Sequence, residues 1–273
     1  MGREFSDKAG GGGGFAKRSL GQNFLQDPNT ARRIVEALDI KPGETVLEIG
    51  PGRGALCGHI LGKSPGTFAA LEKDAALASA VKTRHPEMAV VYTDALRFPW
   101  ERLGAWPGVK IVGNLPYNIA SPLMWDVLSR TPGYARAVFM VQYEVAVRIA
   151  AGPGTKDYGA LSVWLQSFAE PRLLFKVGPN AFHPRPRVDS AVIRFIPRPL
   201  EKRPDNPADL ARLLKSCFQM RRKQIKKILK EVWSVDLEKL LEIHGFSPMS
   251  RPEEFPPAFF HLLADALKNW FPS

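Results

Sequence analysis

From Asp27 onward, apolar residues fall into short runs whose period switches between that of a helix and that of a strand. Ala31, Ile34, Val35 and Leu38 recur at helical spacing behind Asp27, a capping residue type, and Pro28, which suits a first helical turn. After the Pro42-Gly43 turn, residues 45–49 form an apolar, β-branched run that predicts a strand leading into Gly50-Pro51-Gly52-Arg53-Gly54. The alternation then predicts helices at 55–61, 75–84 and 121–129, interleaved with strands at 67–71, 89–92, 109–112 and 137–141. Two further strands, 172–177 and 190–196, flank a proline-rich loop, and beyond Asn206 only helical patterns remain. Strands alternating with helices imply a parallel sheet covered on both faces. The expected architecture is an α/β, Rossmann-like domain followed by a smaller all-helical C-terminal domain. The stretch 197–207, which holds four prolines, marks the boundary. The division expected is a tail at 1–15, the α/β domain at 16–200 and the helical domain at 201–273.

Composition narrows the setting. The 273 residues suffice for one large domain and a smaller one, and 45% hydrophobic against 24% charged residues is an ordinary globular balance. A net charge of +11 favours a polyanionic partner. Cys57 and Cys217 stand far apart without metal-ligand spacing, so no metal is expected and a reduced, cytoplasmic chain fits best. No apolar run approaches the ~20 residues that span a bilayer, and the N-terminus lacks the layout of a secretory signal. The run of five glycines ending at Gly14 reads as part of a flexible tail.

The glycine-rich turn lets the backbone bend tightly and approach a ligand closely. Alone it could serve a dinucleotide, a nucleoside or simply a tight turn, and its G-x-G-x-G spacing differs from the G-x-G-x-x-G of dinucleotide sites. Two acids sharpen this: Glu72 follows the strand at 67–71, and Asp94 follows the strand at 89–92. In an open α/β sheet, ligands sit at the carboxyl ends of the strands. A carboxylate ending the second strand can accept both ribose hydroxyls, and one ending the third can accept an adenine amine. Each acid singly reads as a solvated loop residue. Together with the glycine turn they describe a nucleoside pocket, and no lysine follows the glycines to hold a phosphate.

Gly113-Asn114-Leu115-Pro116-Tyr117 comes at the end of the next strand. These residue types suit chemistry at an exocyclic amine, whose lone pair is delocalised into its ring. Acceptors around the amine protons favour the pyramidal, nucleophilic geometry. Asn114 offers a side-chain carbonyl, and the main chain at Leu115, restricted by Pro116, offers another. Tyr117 can stack on a base and hold it in line.

With Lys17-Arg18-Ser19-Leu20-Gly21-Gln22-Asn23-Phe24-Leu25 upstream, this arrangement closely resembles the small-subunit rRNA adenine dimethyltransferases. Tyr158-Gly-Ala-Leu-Ser-Val163, Phe182-His-Pro-Arg-Pro186, Val188-Asp-Ser190 and Phe218-Gln-Met-Arg-Arg-Lys223 extend the resemblance over most of the chain from Lys17 to Lys230. It implies a class I methyltransferase sheet using S-adenosylmethionine to dimethylate two adjacent adenines in a hairpin loop near the rRNA 3′ end. It also implies a role in small-subunit assembly. Its partner would be small-subunit rRNA within an immature ribosomal subunit, met by a monomer. Carried across by position, the cofactor contacts would be Gln22, Asn23, Leu25, Gly50, Gly52, Glu72, Asp94 and Asn114. Phe182 would be a second aromatic surface for the adenine, opposite Tyr117; loop packing beneath the prolines is the other reading. Departures are Cys57 where a threonine is usual, Tyr143 where a lysine is common, and Lys227 where an asparagine often stands.

Between Leu210 and Lys230 there are eight lysines and arginines and no acid. A long helix there would set Ile225, Ile228, Leu229 and Val232 on one face and Lys223, Lys226, Lys227 and Lys230 opposite. Unrelieved like charge favours phosphate binding over a solvated face, with Arg221 and Arg222 alongside. Lys17, Arg18, Arg32 and Arg33 would extend this surface if the N-terminal segment folds over the pocket mouth. Competing readings are an adenine methyltransferase acting on the large subunit, a DNA adenine methyltransferase, and a non-catalytic RNA-binding assembly or transcription factor with this fold.

Overall fold

The computed structural model describes residues 23–268, so Lys17, Arg18, Gln22 and the tail at 1–15 lie outside the described residues. In chain order the elements are β1 (Phe24–Leu25), α1 (Pro28–Leu38), β2 (Thr45–Ile49), α2 (Cys57–Leu61), β3 (Thr67–Glu72), α3 (Ala75–Arg84) and β4 (Ala89–Tyr92). There follow β5 (Lys110–Asn114), α4 (Ala120–Arg130), β6 (Arg136–Gln142), α5 (Tyr143–Ala150), α6 (Ala160–Phe168), β7 (Ala169–Val177), β8 (Phe182–His183) and β9 (Ser190–Pro197). Four helices complete the chain: α7 (Pro207–Gln219), α8 (Ile225–Ile228), α9 (Val235–Ile243) and α10 (Pro257–Ala266).

Asp27 caps α1 through its carboxylate, which accepts from the backbone of Asn29 and Thr30, with Pro28 in the first turn. Asp74 and Asn206 cap α3 and α7 in the same way.

Seven strands form one sheet in the order β4-β3-β2-β5-β6-β9-β7. The first five run parallel, but β9 pairs antiparallel with β6, and β7 antiparallel with β9. The sheet is therefore mixed rather than parallel throughout. No α-helix separates β7 from β9; the segment between them holds a 3-10 turn (Pro179–Ala181) and β8, and β9 returns antiparallel beside β7.

The strand order reverses between β2 and β5, which opens a crevice at their carboxyl ends. α1, α2 and α3 bury their apolar stripes against one sheet face, and α4, α5 and α6 against the other.

The C-terminal helices do not have a core of their own. Leu213, Leu214, Cys217, Phe259 and Phe260 share one apolar cluster with Val163, Trp164 and Phe168 of α6. Phe246, Phe255, Phe259 and Phe260 interlock at ring separations of 4.7–5.8 Å. Tyr158 donates to the Phe255 carbonyl across this junction at 2.8 Å. Among the described residues, no helix is long and apolar enough to cross a membrane.

Candidate active site

β2 and its turn form one wall of the crevice. Gly50, Gly52 and Gly54 all have positive φ (65°, 55° and 81°), the conformation that favours glycine. Gly50 N–H donates to the Leu71 carbonyl at 2.8 Å, tying the turn to the end of β3. At Gly52 space is short as well, because a Cβ would stand 3.1 Å from the Phe24 ring.

Glu72 is the last residue of β3 and only 6% exposed. One of its oxygens accepts from Gly52 N–H at 3.1 Å and the other from Asp74 N–H at 2.9 Å. Each oxygen keeps acceptor capacity beyond these bonds, and Glu72 lines the cavity.

Asn114 ends β5 directly across the switch point. Its Nδ2 donates to the Asn23 carbonyl at 3.0 Å, which fixes the amide and leaves Oδ1 as its acceptor for the cavity it lines. Gly113 makes this placement possible. A Cβ there would meet the Ile49 carbonyl at 2.8 Å and Leu115 at 2.9 Å, so only glycine lets β5 close on the end of β2. The Leu115 side chain is 1% exposed and anchors the loop in the core, while Pro116 and Tyr117 line the cavity. Tyr117 Oη and Ser190 Oγ lie 2.6 Å apart, so the first residue of β9 holds the phenol in place. Burial raises the Tyr117 pKa above its ordinary value.

The fourth wall comes from β1. Phe24 pairs with His183 and Leu25 with Phe182, a two-stranded ribbon that carries Asn23, Phe24 and Leu25 to the cavity. Phe182 is 5% exposed and packs with Leu25, Val177 and Val192. It does not line the cavity; its packing anchors the ribbon.

Asp94 stands two residues beyond β4 and also lies outside the lining. It accepts from Leu96 N–H at 3.1 Å and pairs with Lys73 at 2.7 Å, and the hydrogen bond from Lys73 lowers its pKa. Thr93 N–H donates to the Glu72 carbonyl at 2.9 Å, which keeps Asp94 beside the crevice.

The enclosed part of the cavity measures about 80 Å³, and the space widens to open solvent at its mouth. Its lining holds the carboxylates of Glu48 and Glu72, the amides of Asn23 and Asn114, and the guanidinium of Arg53, but no lysine. That donor set suits the phosphate-free nucleoside and the charged amino-acid part of S-adenosylmethionine, so the residues fit the group. Among the described residues, no cluster could hold a metal ion.

Glu48, Phe24 and Gly113 belong to this site although the sequence reading did not assign them a role there. Glu48 was the visible one, a lone acid inside the apolar run of β2. It is 2% exposed and accepts from the Cys57 thiol at 3.3 Å. Burial, reinforced by the neighbouring Glu72 charge, pushes its pKa up to about 8. The folded state therefore holds this proton more tightly than the unfolded chain, whose ordinary value is 4.5. This contribution to stability is full below about 4.5 and is lost as pH rises through about 8. Without cofactor, the wild-type melting temperature should fall across that window more steeply than that of Glu48→Gln. Parallel melting profiles for the two proteins would show that Glu48 titrates normally.

The basic segment differs from the expected long helix. α7 stops at Gln219, a turn follows, and α8 has only four residues. The break has a tertiary cause: Ile225 N–H and Lys226 N–H donate to the carbonyls of Ser250 and Pro248 instead of continuing α7. Acids from elsewhere also relieve the like charge. Arg221 pairs with Glu253 at 2.5 Å, and Lys226 approaches Glu238 at 3.7 Å and the Trp233 ring at 5.3 Å. Arg222, Lys223, Lys227 and Lys230 are solvent-accessible, with Lys230 4.0 Å from Glu231.

Comparison with known proteins agrees with this geometry. The family model described as Ribosomal RNA adenine dimethylase matches residues 15–268. The chain is 50% identical over 258 residues to the Ribosomal RNA small subunit methyltransferase A of Maridesulfovibrio salexigens, covering 94% of this chain and 98% of that protein. To the protein of the same name from Oleidesulfovibrio alaskensis it is 52% identical over 258 residues, covering 93% and 92%. A crystal structure of a dimethyladenosine transferase from Plasmodium falciparum matches with a TM-score of 0.69 at 27% identity, over 90% of this chain and 88% of that one. The 23S rRNA methyltransferase ErmE matches with a TM-score of 0.67 at 26% identity, over 90% and 100%. With nearly the whole chain matched, a class I methyltransferase sheet beneath it and a nucleoside cavity at its switch point, this chain belongs to the ribosomal RNA adenine dimethylase family, whose members are S-adenosylmethionine-dependent methyltransferases.

Proposed function

We propose that the chain dimethylates N6 of two adjacent adenines in a hairpin loop near the 3′ end of small-subunit rRNA. It acts as a cytoplasmic monomer on an immature subunit and contributes to that subunit's assembly. The observation that carries this reading is the Asn114 amide, oriented by the Asn23 carbonyl at the mouth of the cavity that Glu72 lines.

What S-adenosylmethionine supplies when bound is an electrophilic methyl group on a positively charged sulfur. Glu72 accepts the ribose hydroxyls, Asp94 the adenine amine, and Gly50 and Gly52 let the backbone come close. Asn23 and Leu25 close the site from the ribbon side, and Gln22 is a further cofactor contact that the resemblance implies. The target adenine turns out of its stack, and Tyr117, held by Ser190, presents a face for it. Asn114 Oδ1 and the Leu115 main-chain carbonyl accept hydrogen bonds from the two amine N–H groups as the nitrogen becomes pyramidal. No strong base is needed before attack, because the amine becomes acidic once it carries the new methyl. Residues 16–200 perform this chemistry, and 201–273 meet the RNA through Arg221, Arg222, Lys223, Lys226, Lys227 and Lys230, with Lys17 and Arg18 as further RNA contacts. Arg221 serves partly as a brace, given its pairing with Glu253.

The large-subunit reading has the resemblance to the 23S rRNA methyltransferase ErmE in its favour. The far higher identity to proteins named for the small subunit favours the first. The test is transfer of isotopically labelled methyl groups from S-adenosylmethionine to unmethylated small subunits, large subunits and free rRNA, read by mass spectrometry of nucleosides. Two dimethyladenosines in small-subunit rRNA are expected. Label confined to the large subunit would overturn the proposal.

A further inference from the structure

A second cluster of positive charge lies on the catalytic domain, away from the C-terminal surface. In the pairing of β7 with β9, Arg172 stands directly opposite Arg194, on the same face of the sheet. Like charges directly opposed across two strands are destabilising. No acid among the described residues is close enough to either guanidinium to form an ion pair. Glu170, two residues before Arg172 on that face, is engaged by Arg198 at 3.3 Å. Arg194 Nε is also buried without an acceptor.

A third guanidinium joins from α1. The Arg33 guanidinium carbon sits over the Phe175 ring, 3.6 Å from its centre. Phe175 opposes Val192, the same-face neighbour of Arg194, so Arg33 reaches the same patch. Stacking on an aromatic ring holds the guanidinium plane while its N–H edges remain free to donate. Asp27, whose charge Arg33 helps to stabilise, is occupied capping α1. Sequence alone offered Arg33 as a basic residue but gave no sign that Arg172 and Arg194 face each other.

Resting on the reading of RNA as substrate, we infer that Arg172, Arg194 and Arg33 form a seat for a backbone phosphate of the RNA strand. A phosphodiester supplies what the cluster lacks: negative charge between the opposed arginines and oxygens for their planar, forked donors. Arg194 lies four residues along β9 from Ser190, the partner of Tyr117, or ~14 Å at strand rise. The phosphate seated there belongs to a flanking nucleotide, not to the target adenine. The seat would fix the direction in which RNA leaves the active site, past the β7 edge of the sheet.

The experiment measures binding of a 3′-terminal small-subunit rRNA fragment over a salt series, with calorimetry of S-adenosylmethionine and thermal melts alongside. Arg172→Gln/Arg194→Gln should bind the RNA several-fold more weakly, with a logarithmic salt slope shallower by about one unit. Its cofactor affinity should match wild type. Without RNA it should melt no lower than wild type, because the opposed charges are gone. Arg172→Gln alone, at an exposed position, should show part of the same loss and serves if the double variant folds poorly. Wild-type affinity and slope in both variants would overturn the seat while leaving the functional reading intact. A wild type that does not bind this RNA at all would overturn the seat, and methyl transfer to small subunits, measured separately, decides the functional reading.

Discussion

Asn114→Ala should lower turnover by roughly 100-fold or more at saturating cofactor and RNA, the scale seen when one preorganised hydrogen-bonding group is removed from a reacting centre. The geometry behind this is specific. Nδ2 is committed to the Asn23 carbonyl, so Oδ1 is the atom that can meet the amine. Its acceptor strength matters most as the nitrogen turns pyramidal, so the loss should fall on kcat more than on RNA affinity. A modest loss of cofactor affinity should accompany it, because the Asn23 carbonyl loses its donor and the ribbon at the mouth loosens. Single-turnover rates at saturating cofactor check this. A variant with full turnover would remove Asn114 from the chemistry.

Glu72→Ala should weaken S-adenosylmethionine binding by about 10- to 100-fold, corresponding to the ~1.5–3 kcal/mol typical of hydrogen bonds to a charged group. Two effects combine. The acceptor for the ribose hydroxyls is gone, and Gly52 N–H and Asp74 N–H lose the carboxylate that orders the turn. The second effect should also lower the melting temperature, so Glu72→Gln separates them. The glutamine retains one acceptor oxygen and so part of the turn, and it should melt closer to wild type while still binding cofactor poorly. Calorimetry in both variants, with RNA binding as control, checks the assignment. Unchanged cofactor affinity in Glu72→Ala would show that the carboxylate does not hold the ribose.

Much of this site was legible because its signals are local. A strand that runs into Gly50-Pro51-Gly52-Arg53-Gly54 announces a tight turn from residue types alone, and the three positive φ angles bear that out. Glu72 and Asn114 were placed correctly at strand ends, because hydrophobic period locates a strand's end to within a residue or two. Capping by Asp27 was equally readable, since a cap and its helix are adjacent in the chain. Asp94, set near the pocket by its position after β4, and Phe182, assigned there by the resemblance, both lie outside the lining of this cavity.

What the sequence by itself determined was the alternation of elements, the glycine turn, the acid and amide at strand ends, and the net positive charge. The tertiary structure alone decided the rest, because those features depend on partners far away in the chain. Two residues of β1 are too short to carry a periodic signal, and only pairing with Phe182 and His183 makes them a strand. β9 runs antiparallel to both β6 and β7, which only the pairing of distant strands reveals. The basic segment breaks after Gln219 because Pro248 and Ser250 accept from the backbone that would have continued the helix. Gly113 is required by a neighbour on another strand, Ile49, and not by its own backbone angles. Arg172 and Arg194 are 22 positions apart in the sequence, and only strand register sets their charges face to face.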